Sequence, residues 1–378
     1  MNRAAPLRHL LPLLLLVSGL APTLGCRMAS PFGPPRVLDA RSFAFDVAFL
    51  DARRVACALL EGGAHRLVVF SVESGARLQE FSVAAESDWV HAVALSPDGQ
   101  RAAVALRRVR ARGEALVASG LVRVLDLKAG RIERTFSVAT PVRAVTFVDR
   151  DHLLFATEAS RTRSRPDAPA GGRVCAAALE GGAPTCRPAH ADDVTALALV
   201  PSGFASGSAD GTIRFWSREL VPRALVRAGG AVNALAVRPA QRGDARAEQL
   251  LVATSHAPAR RTPALVALER RGGHRAGPAP GDAVEVWDLG RLRRVSVATP
   301  HRFYVTELAA SRDGSALASG GWDFAVALFR GGGWHRLDAF SQIVTGLAFS
   351  PSGATLAVSA WTEARSGSPS CLLLPLSR

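Results

Sequence analysis

From Arg36 onward the chain alternates short apolar runs with clusters of Gly, Pro, Asp and Ser, and no stretch holds a 3.6-residue period long enough to define a helix. The pattern predicts an all-β protein. One apolar run recurs at Val90–Leu95, Val194–Leu199, Val305–Ala310 and Val344–Phe349. Each copy is followed by a turn: Ser96-Pro97-Asp98-Gly99, Val200-Pro201-Ser202-Gly203, Ser311-Arg312-Asp313-Gly314 and Ser350-Pro351-Ser352-Gly353. Where proline occurs it presets one turn dihedral, and glycine supplies a positive one. The same run returns with degraded turns at Val142–Phe147 and Val232–Val237, and more loosely at Ala44–Phe49, making seven copies.

These runs are apolar on both faces, with large residues on one side and Ala or Gly on the other, which suits a strand packed between two sheets. Seven small sheets stacked around an axis meet that condition. The fourth copy carries His190, Ser206, Asp210 and Trp216, and the sixth carries His301, Ser319 and Asp323 with Phe329 where Trp is expected. A Trp-Asp pair survives at Trp287-Asp288. On these residues the chain resembles the WD40 β-propeller family over essentially everything from Arg36 to Arg378. The resemblance implies seven four-stranded blades and assigns the His, Ser, Asp and Trp set a bracing role within a blade. The seventh copy runs out at Cys371–Leu376, about three strands in, while Arg36–Phe43 precedes the first copy as an unassigned extended segment. Supplying the missing strand from that segment would close the ring in the overlapping manner of the family and leave no long sheet edge bare.

The N-terminus reads differently. Arg3 and Arg8 precede an apolar run from Leu10 to Leu20 that is too short to span a bilayer, which is the pattern of an export signal. Thr23-Leu24-Gly25-Cys26 resembles a bacterial lipobox, which implies that Cys26 becomes the acylated first residue; the plainer reading is secretory cleavage with Cys26 incidental. Arg27 stands where an Asp would favour retention at the inner membrane. The expected organisation is a lipoprotein-type signal peptide over 1–25, a tether over 26–35 and the propeller over 36–378. The expected location is the cell envelope, periplasm-facing or at the outer membrane.

The formal net charge is +14, with 46 Lys plus Arg against 32 Asp plus Glu, and Lys128 is the one lysine. Labelling the strands of a blade a to d from the axis outward, the meander puts the b-to-c and d-to-a connections on one face of the disc. Three segments, at 107–120, 159–173 and 256–282, are lengthened between b and c, and together they hold most of the surplus charge. Arg107, Arg108, Arg110 and Arg112 lie in the first, Arg161, Arg163, Arg165 and Arg173 in the second, and Arg260, Arg261, Arg270, Arg271 and Arg275 in the third. A positive crown of this kind attracts an acidic protein or a polyanion. Trp322 and Trp361 fall at the end of b in neighbouring blades, and Trp89 and Tyr304 fall just before strand a, on the same face. The residues just inside strand a, His91, Arg143, Thr195, Asn233, Thr306 and Thr345, are expected to ring the channel entrance.

The candidate partner-binding face is therefore Trp89, His91, Arg143, Tyr304, Trp322 and Trp361 with Arg107, Arg110, Arg161, Arg163, Arg260 and Arg261. No metal-ligand spacing, nucleophile elbow or phosphate loop is present, so no cofactor or metal is expected. Cys57, Cys175, Cys186 and Cys371 remain after Cys26; Cys175 and Cys186 flank the Glu180-Gly181 turn and are either a cross-strand disulfide or two buried thiols. The expected function is a non-catalytic, envelope-anchored, monomeric scaffold for a protein partner. The alternatives are a periplasmic propeller enzyme of lactonase or quinoprotein type and a binder of an envelope polyanion. Nucleic acid is not expected as a partner, since the chain reads as exported and shows no recognition helix or base-stacking motif.

Overall fold

A computed structural model describes residues 31–377 apart from 40–41, 85–87, 113–114, 160–170, 241–247, 257–281, 339, 341–342 and 362–368. The signal segment, Cys26, Arg161, Arg163, Arg260 and Arg261 lie outside the described residues.

The chain begins with a short strand, β1 (Arg36–Asp39), and then lays down six complete antiparallel sheets in succession. The first comprises β2 (Phe43–Phe49), β3 (Arg54–Glu61), β4 (Ala64–Ser71) and β5 (Arg77–Ala84); the second β6 (Asp88–Leu95), β7 (Arg101–Arg112), β8 (Ala115–Asp126) and β9 (Arg131–Val138). The third is β10 (Val142–Phe147), β11 (His152–Thr157), β12 (Gly172–Ala178) and β13 (Thr185–His190), and the fourth β14 (Val194–Val200), β15 (Gly203–Ser208), β16 (Thr212–Trp216) and β17 (Pro222–Arg227). The fifth is β18 (Ala231–Arg238), β19 (Gln249–Ser255), β20 (Ala283–Asp288) and β21 (Arg293–Ala298), and the sixth β22 (Val305–Ala310), β23 (Leu317–Gly321), β24 (Val326–Arg330) and β25 (Gly333–Leu337). The last sheet takes β26 (Val344–Phe349), β27 (Thr355–Ala360) and β28 (Cys371–Pro375) from the end of the chain and β1 from its beginning. The seven-bladed propeller is closed by an N-terminal strand, as the repeat count predicts.

Each a strand is the recurrent apolar run, and hydrophobic clusters form between successive blades. Phe45, Leu67 and Val69 of the first pack with Val104, Leu106 and Leu125 of the second, and Phe155 and Cys175 of the third pack with Val122, Val124 and Phe136 of the second. The small residues on strand b have a packing reason. A Cβ at Gly207 or Gly320 would sit 2.4 Å from a methyl of Val232 or Val344 in the following blade, a distance that real Cβ contacts do not reach.

The seam between the last and first blades is tied by several unlike interactions. Arg36, Val37 and Asp39 pair with Leu373, Leu372 and Cys371. The Asp39 carboxylate accepts hydrogen bonds from the Ser370 hydroxyl at 2.7 Å and the Ser42 N–H at 3.0 Å, and meets Arg77 of the first blade at 3.1 Å. Arg77 also pairs with Glu61, and that guanidinium holds the Glu61 carboxyl below its usual range. Cys57 on β3 and Cys371 on β28 form a disulfide across the seam, closing a sequence separation of 314 residues. Cys175 and Cys186 form the second disulfide, between c and d of the third blade. The sequence reading left this second pair open and did not foresee the first. Residues 31–33, expected as tether, are part of the seal: Phe32 bridges Leu376, and the Gly33 N–H donates to the Pro375 carbonyl at 2.7 Å.

The two disulfides differ most in the length of chain they close, 314 residues against 11. On chain-entropy grounds Cys57→Ala with Cys371→Ala is expected to cost roughly 3 kcal/mol more than Cys175→Ala with Cys186→Ala. Denaturant midpoints of the two double variants, measured side by side, check this; equal losses would remove the special role of the seam.

Candidate interaction face

The b-to-c and d-to-a connections share one face, and the described part of the first insertion shows how its arginines are held. It is not a loop: β7 and β8 continue as a paired hairpin out to Arg112 opposite Ala115. Val109 opposite Ala118 and Ala111 opposite Leu116 keep strand chemistry going past the blade. Asp88, fully buried at the start of β6, lies 3.2 Å from Arg110 and 3.6 Å from Arg108. Glu158, just past β11, lies 3.5 Å from Arg107, 3.8 Å from Arg143 and 3.9 Å from His91. Four arginines of the second and third blades are therefore gathered on two acids, Asp88 and Glu158, that the sequence reading did not single out. Arg107 and Arg110 keep 42% and 50% of their side-chain surface exposed, so the positive edge is presented to solvent.

The candidate aromatic residues lie on the second, sixth and seventh blades. Trp89, 39% exposed, meets Trp361 edge-on at 6.3 Å, and Trp361 meets Phe43 at 6.2 Å. Beneath Trp89 lies Phe45, at 6.3 Å. Tyr304 and Trp322, expected as exposed contacts, are buried: with Ile343 they form a small core that Phe303, Phe324 and Trp361 pack against. Phe303 and Phe324 pack against them, and the backbone N–H of Trp322 donates to the Tyr304 carbonyl. Phe324 replaces glycine in conformation as well as position. It has φ 63°, where the equivalent Asp210-Gly211 turn has Gly211 at φ 80°, and it remains half-buried. A non-glycine residue in that region carries backbone strain of about 1–3 kcal/mol, and such strain concentrates at functional surfaces.

The six strand-a residues read from the sequence line the channel, and four of them have a second role. A β-bulge recurs in strand a of every blade, at Phe45, His91, Arg143, Thr195, Asn233, Thr306 and Thr345. A bulge re-aims its side chain. Thr195 donates to the Val232 carbonyl at 2.7 Å, Asn233 to Val305 at 2.8 Å, Thr306 to Val344 at 3.3 Å and Thr345 to Ala44 at 2.9 Å. Each bond reaches strand a of the next blade, so these residues stitch the ring. Phe45, His91 and Arg143 are the exceptions, Phe45 being apolar and the other two gathered instead around Glu158. The channel they surround is about 170 Å³ and also exposes Asp46 and Glu307, two acids the sequence reading missed. Asp46 accepts the Val93 N–H at 2.7 Å, a further link between blades.

The bracing set runs from His190 at the end of β13 in the third blade into the fourth blade and forms one directed chain. The Trp216 N–H donates to Ser206 at 2.9 Å, Ser206 meets His190 Nε2 at 2.8 Å, His190 Nδ1 meets Thr212 at 2.7 Å, and the Thr212 hydroxyl donates to Asp210 at 2.6 Å. Since Thr212 spends its proton on the carboxylate, His190 donates from Nδ1 and accepts at Nε2. Thr212 is thus a fifth member that the sequence reading did not name. Burial works against ionisation of Asp210, but the nearby His190 imidazole and hydrogen bonds from the Thr212 hydroxyl and the backbone of Thr212 and Ala191 outweigh it and hold the carboxyl far below its usual range. In the sixth blade His301 bridges Ser319 at 2.8 Å and Asp323 at 2.9 Å. Arg336 takes Asp323 at 2.6 Å, and Phe329 leaves Ser319 without an indole donor. The Asp323 carboxyl is also lowered, burial again being overcome by His301, Arg336 and the Arg302 N–H. Among the described residues no group of three or more His, Cys, Asp or Glu is placed to hold a metal ion.

Two outcomes follow from this geometry. A carboxyl depressed in the folded state stabilises above its unfolded pKa of about 3.9, and that stabilisation is lost as pH falls through the folded value. Asp210→Asn is therefore expected to cost about 1–3 kcal/mol at pH 7 and progressively less below about pH 4; urea midpoints at pH 7 and pH 3 compare the two. Phe324→Gly is expected to change stability by no more than about 1 kcal/mol, because relief at a positive φ offsets lost packing, whereas Trp322→Ala costs about 3–5 kcal/mol. Thermal melts of both variants decide whether the two aromatics differ in this way.

Comparison with known proteins bears on the fold. The profile described as "WD domain, G-beta repeat" matches residues 184–217 and 293–330, which span His190 to Trp216 and the outer fifth and inner sixth blades. A search of curated proteins finds no match. Among solved structures, a chain in the crystal structure of the mitotic checkpoint complex superposes with a TM-score of 0.66 at 19% identity, covering 97% of this chain and 98% of that one. With the two matched repeats embedded in seven blades of the same construction, the chain is a WD40-repeat β-propeller.

Proposed function

We propose that this propeller is an exported, lipid-anchored scaffold that binds an acidic protein partner on the face carrying the b-to-c connections. WD40 propellers typically serve as protein-interaction scaffolds, and the similar chain noted above belongs to a multiprotein complex. The observation that carries the reading is the continuity of two features on one face: Trp89 and Trp361 in edge contact, and Arg107 and Arg110 on the hairpin that begins beside Trp89. Exposed aromatic and arginine side chains on a rigid frame are the composition of binding hot spots. The four arginines gathered on Asp88 and Glu158 outnumber those two acids by two, which favours an acidic partner and makes binding weaken with salt. Export is supported by the N-terminal pattern ending at Cys26 and by the pairing of all four remaining cysteines, which suits an oxidising compartment.

Two measurements test this. Labelling with radioactive palmitate in a bacterial host is expected to mark the chain and to vanish in Cys26→Ser; equal labelling removes the anchor. Cross-linking in intact envelopes is expected to yield a discrete adduct that falls at least tenfold in Trp89→Ala with Trp361→Ala and in Arg107→Glu with Arg110→Glu. An adduct indifferent to both pairs places the binding surface elsewhere.

A further inference from the structure

The fourth and sixth blades fill the same inter-blade space with side chains of different size. In the fourth blade Phe204 and Trp216 stand opposite one another on b and c, stack at 5.9 Å, and with Leu220 fill the space against Leu154 and Val174 of the third blade. In the sixth blade the same register positions hold Leu317 and Phe329. Each is one size smaller, and the tight turn at Gly331 and Gly332 leads straight into β25, with nothing to match Leu220. The fifth blade offers little in return: the cluster between the two blades is built on Ala253, Val284 and Val305. What remains is a half-open groove of about 1040 Å³ between the fifth and sixth blades. Its floor is Leu317, Phe329 and Trp334, and its opposite wall includes Val286 and Val295. Trp216 is 2% exposed in the fourth blade, whereas Phe329 is only partly covered in the sixth.

We infer that this groove is a second docking site, for an extended acidic peptide segment with a large apolar anchor. Three observations fix the occupant. The floor is aromatic and aliphatic, and large enough to take a side chain of the size that Trp216 and Leu220 supply in the fourth blade. Among the described residues the rim carries Arg291 and Arg293 with Asp288, while Arg238 is held by the Gly314 carbonyl and Gln249. Asp288 already pairs with Arg291 at 3.1 Å, so an incoming carboxylate meets Arg293. Finally, β21 is the outermost strand of its sheet and runs along the groove with Val295 44% exposed, so an extended segment finds a strand edge beside its anchor pocket. This site stands apart from the face argued above.

The test uses the full chain purified in detergent and a display library of random twelve-residue peptides. The expected result is enrichment of acidic peptides carrying Leu, Phe or Trp. A synthetic copy of the most enriched one should lose at least tenfold in affinity against Leu317→Phe with Phe329→Trp, which refills the groove in the manner of the fourth blade. Arg291→Glu with Arg293→Glu should produce a similar loss without touching the core, and it carries the test if the refilled chain melts abnormally. Trp89→Ala with Trp361→Ala should leave this binding unchanged, which separates the groove from the first face. The proposal is overturned if the enriched peptides are basic or neutral, if none is enriched, or if binding survives both groove variants. It is also overturned if the groove is occupied by a second copy of the chain, seen as a dimer in sedimentation that the refilled variant abolishes.

Discussion

A propeller has one constraint that outranks the rest: the last blade must be held to the first, because every inter-blade contact bears its load only in a closed ring. Here closure uses interactions of different physical kinds at one place. Backbone pairing of Arg36–Asp39 with Cys371–Leu373 supplies register, the Asp39 carboxylate ties Ser370 and Ser42 to Arg77, and Cys57–Cys371 makes the joint covalent. Thr345 adds a hydrogen bond from the last strand a to the first. Removing water from that joint matters too, since Leu59, Phe70 and Leu373 are buried in the same cluster as the disulfide. The first and last described strands are thus firmly tied to each other.

With the ring closed, the inner circle can be polar without cost. A bulge in each strand a points a side chain across to the neighbouring blade, and short hydroxyl or amide groups at four of these positions satisfy backbone carbonyls there. Between the second and third blades the bulge residues are His91 and Arg143, too long for such a stitch, and they converge with Arg107 on Glu158. The break in the pattern coincides with the extended hairpin and its arginines. Symmetry is kept where it holds the ring together and given up where side chains face outward.

The sequence made the blades legible because each repeats a strand and a turn whose chemistry is local: apolar alternation, then Pro and Gly. The closing strand followed from counting, since three strands at the end require a fourth. Long-range pairings were out of reach. Cys57 and Cys371 are neighbours only after the ring closes, and nothing in either local segment marks the other. The bulge residues were picked out by position as lining the channel, which they do, but their bonds to the next blade were out of reach, because a one-residue shift in register is invisible in a strand pattern. Tyr304 and Trp322 were read as exposed from their place beside a turn, yet the half-buried Phe303 and Phe324 lie over them. Asp88 and Glu158 carried a signal that went unused: an acid at a strand end, beside a run of arginines, is where such a run is anchored.

Erosion of a repeat is the remaining lesson. Phe329 in place of a bracing Trp reads in the sequence as decay, and its effect on the polar set is a loss, since Ser319 has no indole partner. The structure shows the same substitution acting in a second place. Because Leu317 stands opposite Phe329 where Phe204 stands opposite Trp216, both members of the pair shrink together, and a close-packed interior does not absorb two such reductions by small shifts. The compensation in the sixth blade is electrostatic: Arg336 takes Asp323 directly, so His301 stays fixed without the full chain of donors. A blade can therefore surrender its aromatic brace while keeping its geometry, and the volume released becomes surface concavity.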